Sequence, residues 1–219
     1  MKPENWLRVD FHVHTVYSSD GLITPEKLIA ICKERGLDRV AVTDHNTIRG
    51  AQIAKALAPE TIIIGEEIMT TRGELLAFFV QEEIPPGLVP EAAIQRLRAQ
   101  GAFISVSHPF DNLRPSSWQR GKLQPISTLV DAIEVFNARC LLASFNQKSH
   151  QFAQEHGLLA TVGSDAHTTY EIGKVILTLP FFHDTESLRR ALPQGQAHTR
   201  RSGLLVRTLS LYARLLKKF

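Results

Sequence analysis

The sequence predicts an α/β protein built on a mainly parallel sheet, which is either open or closed into a barrel. Two observations support this class. Runs typical of strands alternate along the chain with runs typical of helices, as expected of repeated β-α units. The composition of the 219 residues, 43% hydrophobic and 21% charged, is that of an ordinary globular protein with a sizeable core.

The predicted strands are short runs rich in branched and aromatic residues. In chain order they are LRVDFHVHT, RVAVTDH, TIIIGEEI, ELLAFFV, AFISVSHP, AIEVFN, LATVGSDAH and KVILTLP. The predicted helices are TPEKLIAICKERG, IRGAQIAKALA, VPEAAIQRLRAQG, the stretch 141–157 and DTESLRRALPQG.

Start and stop signals support several of these helices. Thr24 is an N-cap before Pro25, and Gly36 closes the same helix, while Gly101 and Gly157 close two others. The stretch 111–125, rich in Pro, Ser and Arg, is the longest predicted loop, and we expect it to lie over the functional site.

Composition excludes several classes of protein. No apolar run approaches the ~20 residues that span a membrane, and MKPENWLRVD lacks the apolar region of a signal peptide. Cys32 and Cys140 have no metal-like spacing, and we expect reduced core thiols in a cytoplasmic protein. We expect one domain over residues 1–219, with a basic C-terminal extension from about residue 189 to residue 219.

The basic extension stands out against a net charge of only +3, because no acidic residue follows Glu186. A phosphorylated substrate, a nucleic acid or an anionic surface could explain it. Its apolar residues approximate a helical stripe, so the tail either packs on the barrel or binds a partner chain, RNA or an anionic membrane surface. The apolar residues are Leu204, Leu205, Leu209, Leu211, Tyr212, Leu215 and Leu216.

The stretch DFHVHTVYSSDG, residues 10–21, places two histidines at the end of the first predicted strand. Residues two apart in a strand face the same side, so His12 and His14 project together, with Asp10 on the same face. Burying two imidazoles is costly unless a partner satisfies both. A metal ion would do so.

Metal-binding residue types recur at the ends of the other predicted strands, where α/β barrels carry their chemistry. Imidazoles and carboxylates without cysteine suit zinc, manganese or iron. The candidate ligands are more than one ion needs. Their number favours two or three ions, the usual arrangement for hydrolysis of phosphate esters. The residues are Asp44, His45, Glu66, Glu67, Glu74, His108, Asn137, Asp165 and His167.

Taken together, HVH, SSDG, TDHNT, GEEI, SHPF and GSDAH, in this order, resemble the polymerase and histidinol phosphatase (PHP) superfamily over roughly residues 8–175. The resemblance implies a distorted (β/α)7 barrel with a di- or trinuclear metal site at the C-terminal ends of the strands. It also implies hydrolysis of phosphate esters by a metal-activated water.

The resemblance further implies which residues hold each ion. Glu67 is preferred to Glu66 because it directly precedes the branched Ile68, and adjacent strand residues cannot both face the site. The catalytic set would be His45, His167 and Asp165, and whichever of His45 and His167 is not firmly ligated could donate a proton to the leaving oxygen. The first ion would take His12, His14, Glu67 and Asp165; the second Glu67, His108 and a group from the fourth strand; the third Asp20, His45 and His167.

The chain departs from the family pattern at two places. Many relatives carry a histidine where RGELLAFF has Glu74. Glu74 either ligates the second ion, which would favour manganese or iron over zinc, or lies on the surface beside a two-metal or vacant site. The short span between Pro109 and Ile133 also leaves no room for the helical insertion of some nucleotide-hydrolysing relatives.

Substrate contacts are predicted from charge and position. Arg139 is the first candidate, since its guanidinium fork suits a phosphate, and Asn137 and Arg114 complete the predicted set. Asp10 and Asp44 are placed to orient the ligating imidazoles.

Three functions stay open at this point. The favoured one is a metal-dependent phosphatase or phosphodiesterase acting on a small phosphorylated molecule or a nucleotide. The second is an exonuclease on short RNA or DNA, although the modest charge and single compact domain count against long nucleic acid. The third is a non-enzymatic, metal-binding regulatory module, which the completeness of the ligand set disfavours.

Overall fold

A computed structural model describes residues 5–118 and 120–203, together with residues 206, 208, 210, 213 and 217. The strands are Trp6–Val13 (β1), Arg39–Val42 (β2), Ile62–Met69 (β3), Glu74–Phe78 (β4), Phe103–Val106 (β5), Ala132–Asn137 (β6), Leu159–Gly163 (β7), Val175–Pro180 (β8) and Gln196–Thr199 (β9). The helices are Pro25–Arg35 (α1), Arg49–Leu57 (α2), Pro90–Ala99 (α3), Arg120–Leu123 (α4), Ala143–His156 (α5) and Thr185–Ala191 (α6), with 3-10 turns at Gln124–Ile126 and Leu192–Gln194.

The described strands form one nine-stranded sheet in the order β7-β6-β5-β4-β3-β2-β1-β8-β9. This sheet nearly closes on itself, because the end of β1 meets the end of β7. Val13 forms a parallel bridge with Ala166, and the His14 N–H donates to the Ala166 carbonyl at 2.8 Å. The first half of β1 pairs instead with β8. The predicted α/β class and barrel-like sheet are confirmed.

Strand direction differs from the prediction of a mainly parallel sheet. The pairings β1–β8, β3–β4, β4–β5 and β8–β9 are antiparallel. Only four residues separate β3 from β4, and a parallel crossover needs about a dozen. The reversal of β4 has a consequence for the site, since Glu74 at its first residue lies beside Met69 at the last residue of β3.

The predicted helix signals are present in the structure. The Thr24 hydroxyl oxygen accepts from the Lys27 N–H at the start of α1. Gly36 and Gly157 close α1 and α5 with φ values of 63° and 64°, a left-handed conformation that glycine adopts without strain. Gly101, at φ 74°, directly follows the C-cap residue of α3, Gln100.

An aromatic cluster occupies the barrel end opposite the carboxyl ends of the parallel strands. Phe11, Phe78, Phe103 and Phe182 are fully buried, and their ring centroids lie 5.2–6.0 Å apart in successive pairs. Apolar side chains therefore fill one end of the barrel, which leaves the polar residues of the same strands to the other end.

Two elements were not predicted from the sequence. The short helix α4 lies inside the predicted loop 111–125, and β9 forms from QAHT, whose residues are all exposed. No helix among the described residues is long and apolar enough to cross a membrane. The apolar stripe predicted for the tail lies outside the described residues; of the tail's neighbouring positions, Val206, Ser210 and Ala213 are buried.

Candidate metal centre

All predicted metal ligands meet at the carboxyl end of the barrel, where β1, β2, β3, β5 and β7 end and the reversed β4 begins. Their side chains are buried, except that of His45, which is 20% exposed. They form three neighbouring groups, the first two of which share Glu67. We name them the inner cluster (His12, His14, Glu67, Asp165), the side cluster (Glu67, Glu74, His108) and the outer cluster (Asp20, His45, His167).

The inner cluster brings two imidazole nitrogens and two carboxylate oxygens to a common point. The Nε2 atoms of His12 and His14 lie 3.0 Å apart. Glu67 Oε2 lies 3.4 Å and 3.3 Å from these two nitrogens, and Asp165 Oδ1 lies 3.6 Å and 3.4 Å from them. Ligands of a four-coordinate ion with bonds of about 2.0–2.1 Å lie about 3.3 Å apart, so the inner cluster has the spacing of a metal site.

The partners of the two imidazoles fix which nitrogen faces this point. His12 Nδ1 lies 3.0 Å from the Glu134 carboxylate, which can only accept. His14 Nδ1 lies 3.0 Å from Ser18 Oγ, whose own proton is donated to Asp44. When each ring is neutral, its proton therefore sits on Nδ1. Both Nε2 lone pairs then point at the carboxylate oxygens of the inner cluster.

Such an arrangement requires a positive charge, and the atoms present fit a metal ion. Glu67 Oε2 and Asp165 Oδ1 are buried and accept no hydrogen bond among the described residues. Burial disfavours a charged His12, but the carboxylates of Glu67, Asp165 and Glu134 outweigh burial and raise the pKa of His12 well above its ordinary value. Burial likewise opposes a charged Glu67, yet His12 and His45 hold its pKa well below the usual range.

The side cluster extends the centre from the other oxygen of Glu67. His108 Nε2 lies 3.1 Å from Glu67 Oε1 and 3.6 Å from Glu74 Oε2. Glu74 is buried and faces the centre, and burial together with the charge of Glu67 raises its pKa. Trp118 holds this strand end, since its Nε1–H donates to the Glu74 carbonyl at 2.7 Å. The structure thus places Glu74 inside the centre and not on the surface.

The outer cluster lies nearest the opening of the barrel. Asp20 Oδ1 lies 3.2 Å from His167 Nε2 and 3.5 Å from His45 Nε2, while His45 Nδ1 lies 3.0 Å from Glu67 Oε2. Burial opposes a charged Asp20, but the two imidazoles lower its pKa. Burial, His14 and Arg139 lower the pKa of His167 to about 3, so this ring is neutral over the ordinary pH range.

Backbone conformation at the strand ends is unusual where ligands are carried. His108 and Asp165 have positive φ values of 20° and 54°, which non-glycine residues seldom adopt. Each costs of order 1 kcal/mol or more and persists only where the surrounding structure imposes it. Gly163 lies so close to the site that an added Cβ would stand 2.3 Å from His12 Cβ and 2.6 Å from Glu134 Oε1.

A cavity of about 220 Å³ opens onto the outer cluster, and its walls include Leu113, Arg114, Arg139 and Ser210. Arg114, from the predicted loop 111–125, donates from Nη2 to Asp165 Oδ2 at 2.7 Å, and its Nη1 lies 3.0 Å from His108 Nε2. The expectation that this loop lies over the site agrees with the structure.

The other two predicted substrate residues are engaged by protein groups. Arg139 is 5% exposed; its Nη1 lies 2.6 Å from His167 Nδ1, and its Nη2 donates to Val206 O and Ser210 Oγ. Asn137 is fully buried, and its Nδ2 donates to the carboxylates of Glu134 and Asp165. Both residues support the centre from behind, and their contact with substrate stays a prediction.

Glu134 is a candidate supporting residue of the centre that the sequence did not lead us to predict. It orients His12, and its second oxygen accepts from the His108 N–H at 2.9 Å. A lone carboxylate inside the apolar strand AIEVFN could have revealed it, by the argument used for His12. Asp44 acts on His14 through Ser18, whereas Asp10 accepts from the Ser164 and His12 backbone N–H groups and touches no imidazole nitrogen.

Glu66 and Glu67 face opposite sides of β3, as expected of neighbours in a strand. Glu67 lies in the centre, while Glu66 accepts from the Ile84 N–H at 3.1 Å. Burial raises the pKa of Glu66 to about 8, because it outweighs the opposite effect of the hydrogen bond from the Ile84 N–H. Glu66 is therefore a buried neutral acid that supports packing away from the centre.

Comparison of the sequence with known proteins identifies a family. The profile of the PHP domain matches residues 10–160, and that of a PHP-associated segment matches residues 143–197. Two uncharacterized proteins of Methanocaldococcus jannaschii are similar. MJ1587 is 37% identical over 146 residues, 60% of this chain and 82% of the relative; MJ0417 is 35% identical over 174 residues, 78% of this chain and 70% of the relative.

Solved structures share the fold. A two-domain protein of Bacteroides vulgatus, titled as containing a predicted PHP-like metal-dependent phosphoesterase, has a TM-score of 0.75 at 20% identity, over 97% of this chain and 72% of that one. PfuEndoQ of Pyrococcus furiosus, a lesion-specific endonuclease, has a TM-score of 0.60 at 15% identity, over 88% of this chain and 57% of that one. At these identities the likeness concerns the fold. From the profile match over more than half of its length, this protein belongs to the PHP domain family.

Proposed function

We propose that this protein is a metal-dependent hydrolase of phosphate esters that holds two or three divalent ions of zinc, manganese or iron. The inner cluster carries the proposal: two imidazole lone pairs and two carboxylate oxygens converge within 3.0–3.6 Å, fully buried. Burying these groups without a cation would be costly. Bound divalent ions would supply Lewis acidity and an activated water for attack on phosphorus.

The three clusters suggest where the ions are held. The inner cluster would hold one ion, the side cluster a second, and the outer cluster a third. The side cluster has one imidazole and two carboxylates, a harder donor set than the inner cluster, and harder donors favour manganese or iron over zinc. Glu67 contributes one oxygen to each of the first two clusters, which suits a bridging carboxylate.

The cavity suggests the class of substrate. A volume of about 220 Å³ is below the ~300–1,000 Å³ typical of sites for drug-sized ligands. It suits a phosphoryl group with a small substituent or the end of a nucleotide better than a stretch of polymer. Arg114 lies at the cavity wall, where its guanidinium pairs with Asp111 and Asp165. It would bind a phosphoryl oxygen in exchange for one of these partners.

Proton transfer to the leaving oxygen needs an imidazole that the substrate can reach. Of the two predicted donors, the His45 side chain is 20% exposed and that of His167 is 2% exposed. The charge of Glu67 and the carboxylate of Asp20 outweigh burial and raise the pKa of His45, which favours a protonated ring. We therefore prefer His45 to His167 as the proton donor, a role that its ring could take only when it does not ligate the third ion.

The test is a metal-dependent activity screen. Purified protein is supplied with Mn²⁺, Zn²⁺, Fe²⁺ or Mg²⁺ and assayed on phosphomonoesters, phosphodiesters, nucleoside bisphosphates and short oligonucleotides, with bound metal measured in parallel. We expect metal-dependent release of phosphate or of a nucleotide from small substrates. Turnover restricted to oligonucleotides would favour the nuclease, and bound metal without turnover on any substrate would favour the regulatory module.

A matched pair of variants ties the activity to the centre. Glu67→Gln removes the charge shared by the inner and side clusters, whereas Glu66→Gln changes the neighbouring buried acid that faces away. We expect Glu67→Gln to lose metal and turnover and Glu66→Gln to keep both. Equal behaviour of the two variants would overturn the assignment of Glu67.

A further inference from the structure

The loop between β1 and α1 shapes the outer cluster and depends on a distant residue. This loop, residues 16–21, carries Asp20 and also Ser18, whose Oγ contacts His14 and accepts from the His45 N–H at 3.0 Å. Its backbone carbonyls at Val16, Ser18 and Gly21 converge on one point. The Lys217 ammonium occupies that point, at 2.8, 2.5 and 2.7 Å from the three oxygens.

The number of carbonyl oxygens equals the number of N–H donors on the Lys217 ammonium. An ammonium has three N–H donors and no acceptor, and each donor here has one carbonyl. These carbonyls would otherwise repel one another across a tight turn. The charge of Lys217 also interacts favourably with Asp20 and Asp44, which belong to or support the centre.

The same C-terminal segment reaches the other side of the outer cluster. Arg139 Nη2 donates to Val206 O at 2.9 Å and Ser210 Oγ at 2.7 Å, while Nη1 of the same guanidinium lies 2.6 Å from His167 Nδ1. Ser210 also lines the cavity. Asp20 and His167 are thus both held by contacts that end in residues 206–217.

The spacing of these contacts fits one face of a helix. Positions 206, 210, 213 and 217 follow one another at intervals of four, three and four residues, the repeat of a helical face. Residues 206, 210 and 213 are helical and buried, whereas Thr208, on another face, is exposed. The face that meets the barrel therefore ends in Lys217.

We propose that Lys217 is a positioning residue of the outer cluster, which sets the 16–21 loop so that Asp20 faces His45 and His167. The inference rests on the proposed metal centre and goes beyond it, because it makes the C-terminal segment part of the centre. Among the described residues the inner cluster meets this loop through Ser18, which contacts His14, whereas Asp20 is itself carried by the loop. Loss of Lys217 should therefore weaken the outer ion more than the inner ion.

The experiment compares Lys217→Met, Lys217→Arg and Lys33→Met in the 219-residue chain. Bound manganese per chain is measured by elemental analysis after equilibrium dialysis over a range of Mn²⁺ concentrations, and thermal unfolding is measured without metal. We expect Lys217→Met to bind its weakest ion about tenfold less tightly, the low end of the range for partners that orient ligands. The tighter ions should change less, and Lys217→Arg should recover part of the loss.

Lys33→Met, on the exposed face of α1, is the control and should bind manganese as the wild type does. Wild-type isotherms for Lys217→Met, or an equal weakening of every ion, would overturn the proposal. Because the readout is bound metal, a wild-type protein that binds its ions but cleaves no phosphate ester would overturn the proposed function and leave this inference standing.

Discussion

The inner and outer clusters of the candidate centre are built in different ways. Inner ligands lie within β1 and β3 or within two residues of the ends of β1 and β7, and each is at most 1% exposed. Outer ligands come from the 16–21 loop and the ends of β2 and β7, and their positions depend on Arg139 and Lys217. Ligands on paired strands are fixed by the sheet itself, whereas ligands on loops need additional contacts.

This difference suggests a division of roles. Inner ligands lie in or next to paired strands, and Glu134 and Ser18 orient their imidazoles, which would suit tight retention of an ion. The outer cluster borders the cavity, and its contacts include side chains that a substrate or a displaced tail could alter. Removing an inner ligand should therefore abolish activity, while removing an outer ligand should only reduce it.

Removing an inner ligand should have the largest effect. In His14→Ala the inner cluster loses one of its two imidazoles, and we expect loss of the inner ion and a fall in kcat/KM of more than about 100-fold, beyond the range for orienting partners. His150→Ala, on the exposed face of α5, is the control. Metal analysis and kinetics check both; retained metal and activity in His14→Ala would remove the inner cluster from the mechanism.

Weakening the support of the inner cluster should have a smaller effect. Glu134→Gln leaves a hydrogen-bonding oxygen beside His12 Nδ1 but removes the charge behind the ring. We expect metal affinity to fall about 10- to 100-fold, since the imidazole becomes a poorer donor. Competition with a chromogenic chelator measures the affinity. Glu155→Gln on the exposed part of α5 should show no change, and a normal affinity in Glu134→Gln would contradict the role assigned to Glu134.

Changing an outer ligand should have the smallest effect. Asp20→Asn keeps an oxygen near His45 and His167 but loses the charge. We expect the outer ion to bind about tenfold more weakly, or about 1.4 kcal/mol, with the inner ion retained. Metal titration resolves the two classes of ion. A loss of the inner ion equal to that in His14→Ala would show that the clusters are one unit.

The sequence predicted best what is decided locally. The N-cap at Thr24, the left-handed glycines and the common side of His12 and His14 follow from spacing of a few residues. The choice of Glu67 over Glu66 followed from strand alternation together with the family pattern. In each case the deciding interaction lies within one element.

What the sequence left open depends on distant contacts. The direction of β4 is set by its pairing with β3 and β5, although the four-residue turn before Glu74 could have indicated it. The engagement of Arg139 by Val206 and Ser210, and of the 16–21 loop by Lys217, joins segments far apart in the chain. No local pattern in the sequence marks such pairs, so these contacts could not be inferred from it.

The pairing of β1 with β8 has a consequence for how the chain is made. Leu7 lies opposite Leu179, and His14 is tied to Ala166, so β1 leaves the ribosome long before the segments with which it pairs. Such long-range pairing is slow and leaves apolar surface uncovered in the meantime. Nascent chains that stop before residue 165 lack Asp165, so the inner cluster can be completed only after β7 has been synthesised.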